Sequence, residues 1–251
     1  MLGFFSRTWR PELPEGCRVY AIGDVHGRLD LFEQILDQIK QDDATRPPAD
    51  TQIIQLGDLI DRGPDTARVV ALAMQSPGFA SLTTLLGNHE AMMLDAIAGD
   101  RDALKGWLRF GGRESLMSWG VGAHILDQGS PGTIINAARL AIPAAQREWI
   151  ASRPRALHLG DYYFVHAGVR PRTPLEKQTD ADRLWIREPF LSSTARHFAM
   201  IVHGHSIALE VEHMTNRIGI DTGAYATGRL TALGLDGPHQ WIIQTSGSEG
   251  A

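Results

Sequence analysis

The sequence predicts an α/β protein made of two packed sheets with a helical insertion. Three observations carry this. The first third alternates short apolar runs with segments of helical periodicity, the middle is helical throughout, and the last third returns to short runs that alternate at period two. In order, Val19–Ile22 reads as a strand, and Leu31, Phe32, Ile35, Leu36 and Ile39 follow at helical spacing. A second strand, Gln52–Leu56, precedes a helix after Pro64, and a third, Leu82–Leu86, runs into Asn88. This β-α-β-α-β order makes a mostly parallel sheet with helices on its faces and right-handed connections. From about residue 95 to 155 the pieces ALKGWLRF, ESLMSW, INAARL and AQREWIAS read as helices, broken at Gly111–Gly112, Gly120, Gly122 and Gly129. They form a helical cap. Then YYFVHAG, FAMIVHGH, LEVEHM, RIGIDTG, RLTALGL and HQWIIQ read as strands of a separate, partly antiparallel sheet packed on the first. Trp107, Trp119, Trp149, Trp185 and Trp241 are assigned to packing, since bulky aromatics dominate cores.

Composition bounds the function. A chain of 251 residues, 43% hydrophobic and 21% charged, is long enough for one globular domain with a substantial core. Residues 18–245 are read as that domain, 1–17 as an N-terminal arm carrying Phe4, Phe5, Arg7, Trp9 and Arg10, and 246–251 as a flexible tail. No apolar run approaches the ~20 residues of a membrane helix, and the N-terminus has no apolar signal region. The single cysteine, Cys17, excludes an internal disulfide framework and points to a reducing cytoplasm. A net charge of −5 without a long basic run argues against nucleic acid as a partner. Oligomeric state is left open.

Five segments share one layout, an apolar strand ending in glycine with metal-type ligands beside it: AIGDVHG, IQLGDLIDRG, LLGNHE, FVHAG and VHGH. In open α/β sheets ligands bind beyond the carboxyl ends of strands, so these side chains are placed to converge. Singly, Gly-Asp is a common turn and a lone histidine is usually structural. Five together in one chain do not share that explanation. Carboxylate, imidazole and amide donors without thiolate suit a divalent metal such as Mn²⁺, Fe²⁺ or Zn²⁺. Asp24 and Asp58, brought together without a cation, would repel and raise each other's pKa. There are donors enough for two ions sharing a carboxylate.

GDVHG, GDLIDRG, GNHE, HAG and GH, in this order, resemble the phosphoprotein phosphatase family of metallophosphoesterases. The resemblance runs from about Val19 to Leu233, with later echoes in RLWIRE and IDTGAYATGRLTAL. It extends to small bacterial and phage serine/threonine phosphatases and to symmetrical dinucleoside-tetraphosphate hydrolases. It implies a calcineurin-like fold, an α-β-β-α sandwich with the cap inserted. By position it implies that Asp24 and His26 bind the first of two divalent ions, Mn²⁺ foremost, with Fe or Zn as alternatives. Asp58 bridges both, and Asn88, His166 and His205 complete the second. His205 stands before Ser206 as the family's final ligand stands before a small hydroxyl residue, which leaves His203 as a neighbour. Arg62, Asn88 and Arg187 are implied to bind the substrate phosphate; Arg183, four residues before Arg187, is the competing position and would share a helical face with it. His89 matches the leaving-group acid, oriented by Asp61, and Glu90 is read as a helix cap. The implied activity is hydrolysis of phosphoserine and phosphothreonine, or of another phosphorylated molecule, by direct attack of a metal-bridging hydroxide. The alternative is a symmetrical dinucleoside-tetraphosphate hydrolase with the same centre and different walls.

Overall fold

A computed structural model describes residues 9–246; Phe4, Phe5 and Arg7 of the expected arm and residues 247–251 of the expected tail lie outside the described residues. The chain begins as its periodicity requires, with β1 (Cys17–Ile22), α1 (Leu29–Ala44), β2 (Asp50–Gln55), α2 (Thr66–Ala73) and β3 (Ser81–Thr84). A helical stretch follows: α3 (Asn88–Ala98), α4 (Arg101–Trp107), α5 (Arg113–Ser118), α6 (Ala123–Gln128), α7 (Pro131–Ala141) and α8 (Ala144–Ala151). Then come β4 (Ala156–Leu159), β5 (Tyr162–Val165), α9 (Asp180–Trp185), β6 (Met200–His203), β7 (Glu212–His213) and β8 (Arg217–Gly219). The described chain closes with α10 (Ala224–Thr227), β9 (Thr231–Asp236) and β10 (His239–Gln244). None of these helices is long and apolar enough to cross a membrane.

The strands form two five-stranded mixed sheets, ordered β10-β9-β1-β2-β3 and β4-β5-β6-β8-β7. β1, β2 and β3 are parallel, and β5, β6 and β8 are parallel. RLTALGL and HQWIIQ do not belong to the second sheet, because β9 pairs antiparallel with the open edge of β1 and carries β10 with it. Period-two alternation says which face of a strand is buried, not which sheet edge it joins. Gly234 on β9 makes room for the β10 tryptophan: a Cβ there would sit 2.1 Å from Trp241. The indole meets Tyr20 of β1 edge-on at 5.7 Å.

Successive residues of β1 face opposite ways, and both faces are buried. Val19 and Ala21, with Ile54 and Leu56, pack against Tyr162, Phe164, Val202 and Ile218 of the other sheet. Tyr20 and Ile22, with Ile53, pack against Phe32 and Ile35 of α1, Met93 of α3 and Trp107 of α4. A third apolar cluster, Val165, Ile201, Phe190 and Ile186, lies on the outer face of the second sheet. The result is helix, sheet, sheet and an outer layer formed by the β5–β6 connection and α9.

Candidate metal centre

The parallel order of β1, β2 and β3 puts their carboxyl ends on one edge, and three loops leave it side by side. Glycine lets them touch. A Cβ on Gly57 (φ +98) would lie 2.7 Å from Gly87 Cα, and one on Gly87 would lie 2.1 Å from Asp58 Oδ1. The backbone N–H groups of Val25 and His26 donate to the Asp58 carbonyl at 3.1 and 2.9 Å. The buried Glu90 carboxylate closes the cluster: it accepts the N–H of Gly87 (2.9 Å), Asp58 (2.9 Å), Leu59 (2.8 Å) and Ile60 (3.2 Å). It caps α3 as its position suggests, and it also clamps the β2 loop to α3. His26, Asp58, Asp61, Arg62 and His205 all hold left-handed backbone, with φ between 47 and 75. Such conformations cost non-glycine residues about 1–3 kcal/mol each and gather where a side chain has to be aimed.

Acceptor atoms converge at the centre of these loops. His26 Nδ1 donates to Ile60 O (2.8 Å) and His166 Nδ1 donates to Leu56 O (2.9 Å), so each ring turns its Nε2 lone pair inward. His26 Nε2 lies 3.6 Å from Asp58 Oδ2, and His166 Nε2 lies 3.4 Å from Asp58 Oδ1. Asn88 Oδ1 sits 2.8 Å from His166 Nε2 and 2.9 Å from His205 Nδ1. Nε2 of His205 is buried without a hydrogen-bond partner. Burial holds His26, down to about 3, as well as His166 and His205, below the ordinary imidazole value, so all three stay neutral as metal ligands must. The carboxylates divide: burial works to raise Asp58, but His166, His89, His26 and His205 outweigh it and hold Asp58 below the ordinary carboxylate value, so it is not raised as the sequence suggested, while its neighbours are. Burial, then Asp221 and Asp58, drives Asp24 well above the ordinary carboxylate range, and burial pushes Asp221 up to about 6. Lone pairs facing lone pairs beside crowded carboxyls are unfavourable without a cation. The donor set fits divalent metal. Two groups, His26–Asp58–His89 and Asp58–His166–His205, have ligand atoms within 4.8 Å of one another and share Asp58.

Beside this centre stands a hydrogen-bonded dyad. His89 Nδ1 is 2.6 Å from Asp61 Oδ2. The other oxygen of Asp61 accepts from Trp107 Nε1 (2.8 Å) and Ser115 Oγ (2.6 Å), both from the helical insertion. Burial works against a charged His89, but Asp58 and Asp61 outweigh it and hold its pKa above the ordinary imidazole value. Arg62 Nη2 donates to His89 Nε2 at 3.2 Å, and its guanidinium lies 4.4 Å from the Tyr225 ring centre. A cleft of about 100 Å³ opens here, walled by Arg62, Arg187, Phe110 and Trp185. Trp185, 43% exposed, is therefore a cleft residue and not the packing residue expected of it.

Of the residues singled out in the sequence, His26, Asp58, Asn88, His89, Arg62, Arg187 and His205 line one cleft. His166 and Asp61 lie directly behind Asn88 and His89. Asp24 stands one step outside the two ligand groups, where its carboxylate accepts the His205 N–H at 3.1 Å. His203 faces elsewhere: its Nδ1 meets the Gly204 carbonyl at 3.1 Å and its ring packs on Phe190. Arg183 and Arg187 do not share a helical face, because α9 ends at Trp185 and Arg187 lies beyond it. Arg187 Nη2 reaches His205 O (3.3 Å), whereas Arg183 turns to the Tyr163 hydroxyl (3.3 Å). Asp221, Tyr225 and Ser115 have no role in the sequence reading, and Trp107 has only a packing role there. For Asp221 the signal was present, since IDTG repeats the strand-end layout; Trp107 and Ser115 reach the site only through the fold.

A model of the calcineurin-like phosphoesterase family matches residues 17–222. Serine/threonine-protein phosphatase 1 of Salmonella typhimurium is 30% identical over 233 residues, which span 90% of this chain and 92% of that protein. The symmetrical bis(5'-nucleosyl)-tetraphosphatase of Dechloromonas aromatica is 28% identical over 61% of this chain, but the match spans 44% of that protein. Among solved structures, the cold-active protein-tyrosine phosphatase of a psychrophilic Shewanella superposes with a TM-score of 0.59 at 18% identity, covering 94% of this chain and 83% of that one. At that identity the likeness speaks for the fold.

Proposed function

Because the chain belongs to the calcineurin-like phosphoesterase family, we propose that it is a dinuclear-metal phosphomonoesterase acting on phosphoserine and phosphothreonine in proteins. The observation that carries this reading is the His89–Asp61 dyad set beside Asp58, the carboxylate that the His26 donor shares with the His166 and His205 donors. Asp24, His26, Asp58, Asn88, His166 and His205 would hold two ions, Mn²⁺ foremost. When bound, the ions supply Lewis acidity toward phosphate oxygens and lower the pKa of water at the centre. The chain's own residues do the rest. Arg62 and Arg187 both face the cleft and clamp the phosphate, a task for which a planar guanidinium is suited. Asn88 contributes its amide to the same phosphate. As Arg62 turns from His89 Nε2 to the phosphate, that nitrogen is freed to carry the proton which the serine or threonine alkoxide needs on leaving. Asp61 holds the ring by Nδ1 and stabilises its charged form.

The cleft of about 100 Å³ suits a phosphorylated side chain presented by a larger partner better than a whole dinucleotide, since small-molecule sites are usually several times larger. The single cysteine, buried Cys17, is in keeping with a reducing cytoplasm. One observation favours the alternative, a symmetrical dinucleoside-tetraphosphate hydrolase: Phe110, Trp185 and Tyr225 are 49%, 43% and 37% exposed around the cleft, where rings can stack on bases. Side-by-side kinetics of Mn²⁺-loaded protein on a phosphothreonine peptide and on diadenosine tetraphosphate decide. The proposal expects the higher kcat/KM on the peptide, and a preference of tenfold or more for the dinucleotide would overturn it.

A further inference from the structure

A second hollow, about 780 Å³, opens on the outer face of the second sheet and shares no lining residue with the metal cleft. That volume lies within the range of small-molecule sites. Its chemistry is cationic. Arg155, Arg172, Arg183 and Arg196 line it, against Glu176 as the one acid of the lining. Asp180 pairs with Arg155 and Arg183 at 3.4 Å each, while Arg172 and Arg196 have no ion-pair partner among the described residues. Arg172 and Arg196 are exposed and without carboxylate partners among the described residues, so their guanidiniums are free to take an anion that enters the hollow.

Two further features mark the hollow. His197, 6% exposed, lines it, and its ring lies where it reports on what enters. The second feature is backbone strain. Seven non-glycine residues of the described chain hold left-handed backbone, and five of them are the metal-cleft residues named above. The other two, Arg172 (φ 63) and Phe198 (φ 58), both line this hollow. Phe198 is 99% exposed at its rim, and Tyr163 and Leu175 supply apolar wall. Strain of this kind persists where surrounding structure has reason to hold it.

We infer that the hollow is a second anion site that takes a small polyphosphorylated molecule, with its phosphates on Arg172, Arg183 and Arg196. Planar guanidiniums bind phosphate oxygens in pairs, and several converging forks select multiple phosphates over one. A hollow of this volume favours a small molecule over an acidic polypeptide, which would need an extended groove. The site has a physical link to catalysis. Arg183 presents its side chain to the hollow, while its carbonyl accepts the N–H of Ala167 at 2.8 Å, directly after His166.

The test uses zinc-loaded protein with labelled histidine, titrated with inorganic tripolyphosphate at fixed ionic strength while the His197 resonances are followed. A saturable His197 shift is expected in the wild type and in Arg62→Ala/Arg187→Ala, which removes the cleft arginines. In Arg172→Asn/Arg196→Gln the apparent Kd should rise tenfold or more, as loss of charge-assisted hydrogen bonds implies, with phosphatase turnover within about twofold of wild type. Asparagine keeps the left-handed backbone at position 172 accessible. Three outcomes would overturn the inference: no His197 shift in the wild type, the same Kd in the Arg172/Arg196 variant, or a shift produced by a glutamate-rich peptide and not by tripolyphosphate.

Discussion

At the scale of single residues, the cleft separates charges from protons. His89 has one nitrogen committed to Asp61 at 2.6 Å and the other turned to the cleft beside Arg62. His89→Asn should keep bound metal, because the six proposed ligands, Asp24 and His26 with Asp58, Asn88, His166 and His205, all remain, and should slow turnover by ~10²–10⁴-fold on a phosphopeptide. On p-nitrophenyl phosphate, whose leaving group needs little protonation, the loss should be much smaller; steady-state kinetics on both substrates check this. The two arginines near α9 make a second pair of outcomes. Arg187 walls the cleft, so Arg187→Ala should raise KM several-fold on the phosphopeptide as a uniform phosphate clamp is removed. Arg183 is turned to Tyr163 and Asp180, so Arg183→Ala should leave kcat and KM on that peptide within about twofold. The reverse order in the kinetics would transfer the phosphate role to Arg183.

Between elements, buried carboxylates tie pieces that the sequence separates. Glu90 joins α3 to the loop after β2, and Asp61 joins the loop before α2 to α4 and α5. The same device recurs far from the cleft. Asp42, near the end of α1, accepts from the Tyr20 hydroxyl (2.6 Å), Trp241 Nε1 (3.0 Å) and Arg46 Nε (2.7 Å), and so fastens α1 to β1 and β10. Partial burial would raise its pKa, but the hydrogen bonds from Arg46 and Tyr20 win and hold it below the ordinary carboxylate value. A depressed pKa means stability that is present above the unfolded value of ~3.9 and lost as pH falls through the folded one. Asp42→Asn should therefore cost about 1.5–3 kcal/mol at pH 7, the worth of hydrogen bonds to a charged group. The difference from wild type should shrink as pH drops below about 4, as parallel urea titrations at the two pH values would show. A gap that stays constant with pH would mean that the packing of Asp42, and not its charge, holds α1.

Over the whole molecule, a metal at this centre would be coupled to the fold, because the residues that converge there come from both sheets: Asp24 and Asp58 from loops of the first, Asn88 from the start of α3 after β3, His166 and His205 from the second. Chelation should abolish activity, and Mn²⁺ should restore it. It should also lower thermal stability, since binding at 100 times Kd contributes about 2.7 kcal/mol to the native state. Calorimetry of stripped and reloaded protein reads that shift independently of activity. An unchanged Tm together with activity that survives chelation would count against a metal centre. The amino-acid sequence by itself determined the strand–helix alternation, the helical insertion and the strand ends that carry the carboxylate, imidazole and amide donors, because periodicity and glycine placement are local properties of the chain. It also placed His89 next to Asn88 and Arg62 next to Asp61, since adjacency in sequence is adjacency at a loop. Tertiary structure alone decided the rest. It turned β9 and β10 back to β1, exposed Trp185 in the cleft, ended α9 before Arg187, and brought Trp107 and Ser115 onto Asp61. Each of these depends on which surfaces meet across the molecule, and contacts between residues tens of positions apart leave no mark in local pattern.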